Sequence, residues 1–445
     1  MTPAPAETSP DRVFEILGRH MLVDGFHLVV DLERSHGSRI LDSATGRWFV
    51  DFYTFFASSP IGMNHPGLRD PHWTKKLLNV AVNKPSNSDA YTVELASFVA
   101  ALERTAMPRS LPYLFLVEGG ALAVCNALKV AIDWKVRKNL ARRAGVEKGA
   151  KVIHFREAFH GREGYTLSLT NTDPVKTDYY PKFDWPRVEN PKVTFPLEGQ
   201  NLVGVEAAER LALAEIDEAF RRNPDEIAAV IIEPIQGEGG DNHFRGMFLR
   251  ELRRICDERE AMLIFDEVQT GVGITGKMWA HEHFGVEPDI LCFGKKLQVC
   301  GIMVSRRVEE VTDHVFKVSG RINSTWGGNL TDMVRGARYL EIIEEERLIE
   351  NASRMGDLLF RRLRELQTEL EGKVLNARGR GLMCAFDLET PDLRKLVIDR
   401  CHANGLLILA TGRSGIRFRP ALNITHEDLE EGLALLRRSI SEAMQ

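Results

Sequence analysis

Apolar residues in the middle of the chain come in short blocks, and between several of the blocks the spacing becomes helical. Tyr113–Val117, Lys151–Phe155, Ile227–Glu233, Ala261–Phe265 and Asp289–Gly294 are the blocks, and each reads as a strand. The first is followed by Gly119-Gly120 and an apolar pattern that predicts a helix running to about 138. Strand, glycine-bearing loop and helix, repeated from about 112 to 330, predict an α/β architecture. Its sheet is expected to be mostly parallel, with sites at the carboxyl ends of the strands.

Both flanks read differently. Ser38–Asp42 and Arg47–Asp51 surround Ala44-Thr45-Gly46, the pattern of a hairpin. A helical stretch from about 330 to 370 precedes strand candidates at 374–388, 406–410 and 415–419, and a final helix starts near Thr425. The expected division is a disordered tail over 1–10, a large domain over 91–330, and a smaller α+β domain built from 11–90 and 331–445. There are no internal repeats and no low-complexity linker.

Composition narrows the function classes. With 44% apolar and 27% charged residues, the 445-residue chain has the make-up of a globular protein. A net charge of −5 gives no reason to expect nucleic acid or an anionic membrane surface. No apolar run is long enough for a bilayer span, and the first residues lack the basic and apolar blocks of a signal peptide. Six scattered cysteines, mostly inside apolar runs, predict buried free thiols and a cytoplasmic setting. His281-Glu282-His283 lacks a third ligand, so a metal site is not expected.

Chemistry concentrates at strand ends. The run ending at Phe265 continues into Asp266-Glu267-Val268-Gln269, and the run ending at Gly294 continues into Lys295-Lys296. A carboxylate at one strand end and a lysine at the next are what pyridoxal phosphate requires. The lysine joins the cofactor covalently, and the carboxylate keeps the pyridine nitrogen protonated. Lys296 is the decoy beside Lys295. Glu118-Gly119-Gly120-Ala121 reads either as a phosphate cradle at a helix start or as a plain βα turn. Phe159 is a candidate for stacking on a flat ring, and Arg162 for gripping a carboxylate. Glu238, in a glycine-rich loop, has Arg417 as a candidate partner, although spacing does not show that they meet.

These segments resemble the class III (ornithine/GABA-type) pyridoxal-phosphate aminotransferases of fold type I. The matching residues are Phe159–Arg162, Glu233–Gly240, Phe265–Gly271, Phe293–Lys296, Asn323–Gly328 and Arg417–Pro420. The resemblance implies that Lys295 is the Schiff-base lysine, that Asp266 binds the pyridine nitrogen, and that Gln269 bonds the ring hydroxyl. It further implies Gly120 and Ala121 on the phosphate, Phe159 on the ring, and Thr325 reaching the phosphate of a neighbouring subunit, hence a homodimer with shared sites. Arg162, Glu238, Asn323 and Arg417 would handle substrate, with Glu238 opening and closing access to Arg417.

Asn83–Ser88, Phe115–Ala123, Gly164–Asn171, Gln298–Gly301 and Arg378–Ala385 look like the branch of the family that acts on the distal amine of L-lysine, with 2-oxoglutarate as acceptor. The alternatives are a 4-aminobutyrate or an ornithine enzyme. A decarboxylase or aminomutase would keep the Asp and Lys but has no need of a two-carboxylate switch. One departure is Cys125, where the family usually has glutamate.

Overall fold

The structure, a computed structural model, describes residues 8–142 and 147–445. Most of the expected N-terminal tail lies outside these residues, and Pro10 already opens a short 3-10 turn, Pro10–Arg12. Strands β1 (Arg39–Leu41) and β2 (Trp48–Asp51) form the antiparallel hairpin. Asp42 closes its turn by accepting from Thr45 Oγ1 at 2.5 Å and from the Ala44 amide at 3.1 Å.

The main sheet draws on β3 (Tyr113–Val117), β4 (Lys151–Phe155), β5 (Arg187–Val188) and β6 (Ile227–Ile232). A small ribbon of β7 (Ile235–Gln236) and β8 (Asn242–His243) intervenes. The sheet then takes β9 (Met262–Asp266), β10 (Ile290–Phe293) and β11 (Cys300–Val304). Its order is β3-β11-β10-β9-β6-β4-β5. The neighbours from β10 to β5 run parallel, whereas β11 is antiparallel to both β10 and β3. The link between β10 and β11 is too short for the crossover of a dozen or more residues that a parallel pair needs, so the chain must double back. Lys295 sits in that link.

Because helices cover both faces, the central strands are buried throughout and do not alternate with polar residues. Period-2 geometry still sorts their side chains. Met262 and Ile264 pack with helix Gly120–Arg142 on one face, whereas Leu263 and Phe265 pack with helix Gly246–Glu258 on the other.

The C-terminal part supplies β12 (Val374–Arg380), β13 (Met383–Leu388), β14 (Leu406–Leu407), β15 (Leu409–Thr411) and β16 (Gly415–Phe418). Four of them make an antiparallel sheet in the order β12-β13-β16-β15, and β14 instead pairs with β2, tying the two ends of the chain together. The helical stretch expected over 330–370 is two helices, Leu330–Glu345 and Leu348–Glu369. They break at Arg347, held at φ 52° with no glycine or proline to announce it. Among the described residues, no helix is long and apolar enough to cross a membrane.

Candidate active site

At the carboxyl ends of β6, β9 and β10 lies a cavity of about 280 Å³. Six of the residues singled out from sequence line it: Gly120, Ala121, Phe159, Asp266, Gln269 and Lys295, joined by His160, Glu233 and Cys300. At one end is the start of helix Gly120–Arg142, whose first amides have no partner within the helix. A side chain at residue 120 would press on Val268 Cγ1 at 3.0 Å, so glycine there lets backbone come close to whatever occupies the cavity.

Asp266 is the last residue of β9 and is almost fully buried. Its Oδ2 lies 2.8 Å from His160 Nδ1, and its Oδ1 accepts from the Val268 amide at 3.1 Å. The adjacent Glu267 points elsewhere. It accepts from the Ala280 and His281 amides at 2.7 and 2.8 Å, and the His281 ring lies 2.9 Å from its Oε1. His281 therefore serves the packing of a 3-10 turn. Successive residues of an extended chain face opposite ways, and the Asp-Glu pair is divided accordingly between site and scaffold.

The two lysines, in the 3-10 turn Lys295–Leu297, are also divided between site and scaffold. Lys295 faces the cavity. Burial first, and then the nearby Arg417 and Arg419, bring its amine down to about 8. Its backbone is left-handed at φ 49°, a conformation that costs a non-glycine residue about 1–3 kcal/mol. Lys296 is buried, and its Nζ donates to the Gln269 carbonyl at 2.8 Å.

Gln269 is oriented by Arg419, whose Nη2 and Nε donate to its Oε1 at 2.7 and 3.0 Å. The amide nitrogen stays available as a donor. Arg419 is itself completely buried against Asp241, with paired contacts of 2.6 and 2.8 Å. Glu233, at the end of β6, accepts from the amides of Phe159 and Gly237 at 3.0 Å each, and burial raises its carboxyl to about 7. Glu233 and Arg419 lie in motifs visible in the sequence, and Asp241 directly follows one, yet nothing local marked them as supports of the site.

Glu238 and Arg417 do meet, Arg417 Nη2 lying 2.8 Å from Glu238 Oε2. The other oxygen of Glu238 is held by Lys176 Nζ at 2.7 Å, a partner with no signal in the sequence. Burial alone would raise the Glu238 carboxyl, but Arg417 and Lys176 together pull it down to about 2. Arg162 is exposed and stands 6.0 Å from the Phe159 ring centroid. Asn323 and Thr325 lie apart from the cavity of their own chain. They are exposed on a loop pinned to the 83–88 segment, where the Asn87 amide donates to the Trp326 carbonyl at 3.2 Å and Asn87 Nδ2 to the Gly328 carbonyl at 3.0 Å. Cys125 packs quietly, its thiol 3.8 Å from the Glu163 carbonyl.

The donor set fits pyridoxal phosphate. Helix-start amides suit the phosphate, Asp266 suits a protonated ring nitrogen, and Gln269 offers a donor to a ring oxygen. Phe159 provides a flat face, and Lys295 an amine that reacts when neutral.

A family model, aminotransferase class-III, matches residues 22–440. An L-lysine-epsilon aminotransferase from Mycobacterium tuberculosis (strain H37Rv) is 51% identical over 434 residues, covering 97% of this chain and 96% of that protein. Another L-lysine-epsilon aminotransferase, from Amycolatopsis lactamdurans, is 47% identical over 439 residues, covering 98% of this chain and 97% of its own length. The solved structure of a lysine aminotransferase from M. tuberculosis, in its internal aldimine form, aligns with a TM-score of 0.95 at 50% identity. That alignment covers 98% of this chain and 100% of the other.

Proposed function

The chain belongs to the class-III aminotransferases, and on that premise we propose that it transfers the ε-amine of L-lysine to 2-oxoglutarate. The products are 2-aminoadipate 6-semialdehyde, which cyclises to piperideine-6-carboxylate, and L-glutamate. The observation that carries this reading is the Glu238–Arg417 pair at 2.8 Å in a site that also presents Arg162. Two arginines, one of them masked by a carboxylate, suit two substrates that bring one and two carboxylates in turn. The lysine assignment draws support from the close relatives named for that substrate.

Pyridoxal phosphate, when bound, supplies the aldehyde that exchanges amines and the ring that accepts electrons. Arg162 takes the α-carboxylate of lysine, which leaves the far amine at Lys295. Glu238 keeps Arg417 neutralised in that half of the cycle and turns aside when 2-oxoglutarate brings its second carboxylate. Lys295, held near 8, is neutral often enough at physiological pH to accept and return the migrating proton. Asn323 and Thr325, exposed and not lining the cavity of their own chain, are assigned to the site of a second subunit in a homodimer. Six buried, unpaired cysteines support a reducing, cytoplasmic setting.

Mixing the holoenzyme with lysine, ornithine or 4-aminobutyrate singly, without acceptor, tests the donor. Lysine is expected to convert the bound cofactor to its amine form, seen by absorbance. Conversion by 4-aminobutyrate but not lysine would sink the assignment. A second test concerns pH. The folded Lys295 amine lies below its ordinary value of 10.5, so its neutral form is already abundant near pH 8. The rate at which cofactor-free protein captures pyridoxal phosphate should rise about tenfold per pH unit below 8 and flatten above it. A rate still climbing beyond about pH 10 would match an ordinary lysine instead.

A further inference from the structure

We propose that Lys176 is the second seat of the Glu238 switch, a positioning residue that keeps this carboxylate paired while Arg417 is released to the acceptor. The proposal rests on the two-substrate reading of the site. Lys176 ends the short turn Pro174–Lys176, outside every motif that carries the chemistry. Its Nζ lies 2.7 Å from Glu238 Oε1, 3.2 Å from Thr172 Oγ1 and 5.6 Å from the Phe159 ring centroid. Its side chain is 13% exposed, so the ammonium group belongs to the site and is not a solvated surface charge. One carboxylate thus spans two cations, one oxygen to each.

The backbone beneath Glu238 has little freedom. The Glu238 carbonyl accepts from the Gly412 amide at 3.0 Å. The Gly237 carbonyl accepts from Thr411 Oγ1 at 2.7 Å and from the Asp241 amide at 3.1 Å. A side chain at Gly239 would strike the Glu157 carbonyl, which shows how closely the loop is packed. Opening must therefore be a rotation of the Glu238 side chain. Were Arg417 its only partner, that rotation would leave a half-buried carboxylate with no counter-charge, an unfavourable state. With Lys176 in place, the carboxylate gives up one cation and keeps the other. Arg417 is poised for the exchange, its Nε having no partner among the described residues.

The test separates the two halves of the cycle in Lys176→Met, which keeps the apolar stem and removes the charge. Holoenzyme loaded with pyridoxamine 5′-phosphate is mixed with 2-oxoglutarate in single turnovers. The half-saturating concentration should rise about tenfold while the limiting rate changes less than about twofold. Calorimetric titration of wild-type and variant holoenzyme with glutarate, a dicarboxylate that cannot react, should show the same weakening. Lys176→Arg should recover most of it, and in a Glu238→Gln background Lys176→Met should add nothing.

An equal loss in donor and acceptor halves would assign Lys176 to loop structure and overturn the proposal. So would an undiminished effect in the Glu238→Gln background. The acceptor and glutarate arms do not involve the amino donor, so a donor other than lysine would refute the substrate reading and leave the role of Lys176 untouched.

Discussion

Lys295→Ala is expected to lower kcat by roughly a thousandfold or more, because in the proposed mechanism one change removes both the covalent anchor and the proton carrier. The visible absorbance of covalently held cofactor should vanish with it. The neighbouring lysine is the control. Lys296 donates to the Gln269 carbonyl at 2.8 Å and takes no part in lining the cavity. Lys296→Met should keep the absorbance and lose stability on the order of 1–3 kcal/mol, the cost of a buried carbonyl left without its donor. Loss of the absorbance in Lys296→Met together with its retention in Lys295→Ala would reverse the roles of the two residues.

The largest expected effect on stability lies one layer behind the site. Asp241 and Arg419 are both completely buried, paired at 2.6 and 2.8 Å. Asp241→Ala strands a guanidinium in the interior and should cost about 3–5 kcal/mol. The midpoint of denaturant unfolding should fall accordingly, or the rate of thermal inactivation rise if unfolding is irreversible. Activity should suffer too, since Arg419 holds the Gln269 amide in its orientation. Glu238→Ala makes the contrast. Its removal also leaves the buried Arg417 without a carboxylate, so some stability is lost, but the change should show itself chiefly as lost discrimination between donor and acceptor. A stability loss under about 1 kcal/mol in Asp241→Ala would show that the pair does not brace the fold.

The α/β class was legible in the chain because fully covered strands leave a distinctive mark, unbroken apolar blocks ending at glycine or charge. The antiparallel turn of β11 was less so. Cys300–Val304 is an apolar run like the others, and only the shortness of the link before it shows that the chain reverses. The helix break at Arg347 had no glycine or proline to mark it.

For the site, period 2 along Arg417-Phe418-Arg419 already places both arginines on one face, with Phe418 turned into the core. The same rule parts Asp266 from Glu267. Within a single strand, backbone geometry alone dictates which way each side chain points, and so the amino-acid order determined both.

Tertiary structure decided which charges meet. Glu238 finds Arg417 across 179 positions, and Asp241 finds Arg419 across 178, because a strand of the C-terminal sheet is laid against the loop that follows β6. Lys176 joins Glu238 from a turn of no distinctive composition. It also decided that Lys295 and not Lys296 faces the cavity, and that Asn323 and Thr325 lie away from it. An ion pair depends on a few ångströms of separation in space. The pattern of one strand sets which way a side chain points, but its partner is known only once the distant segments are packed.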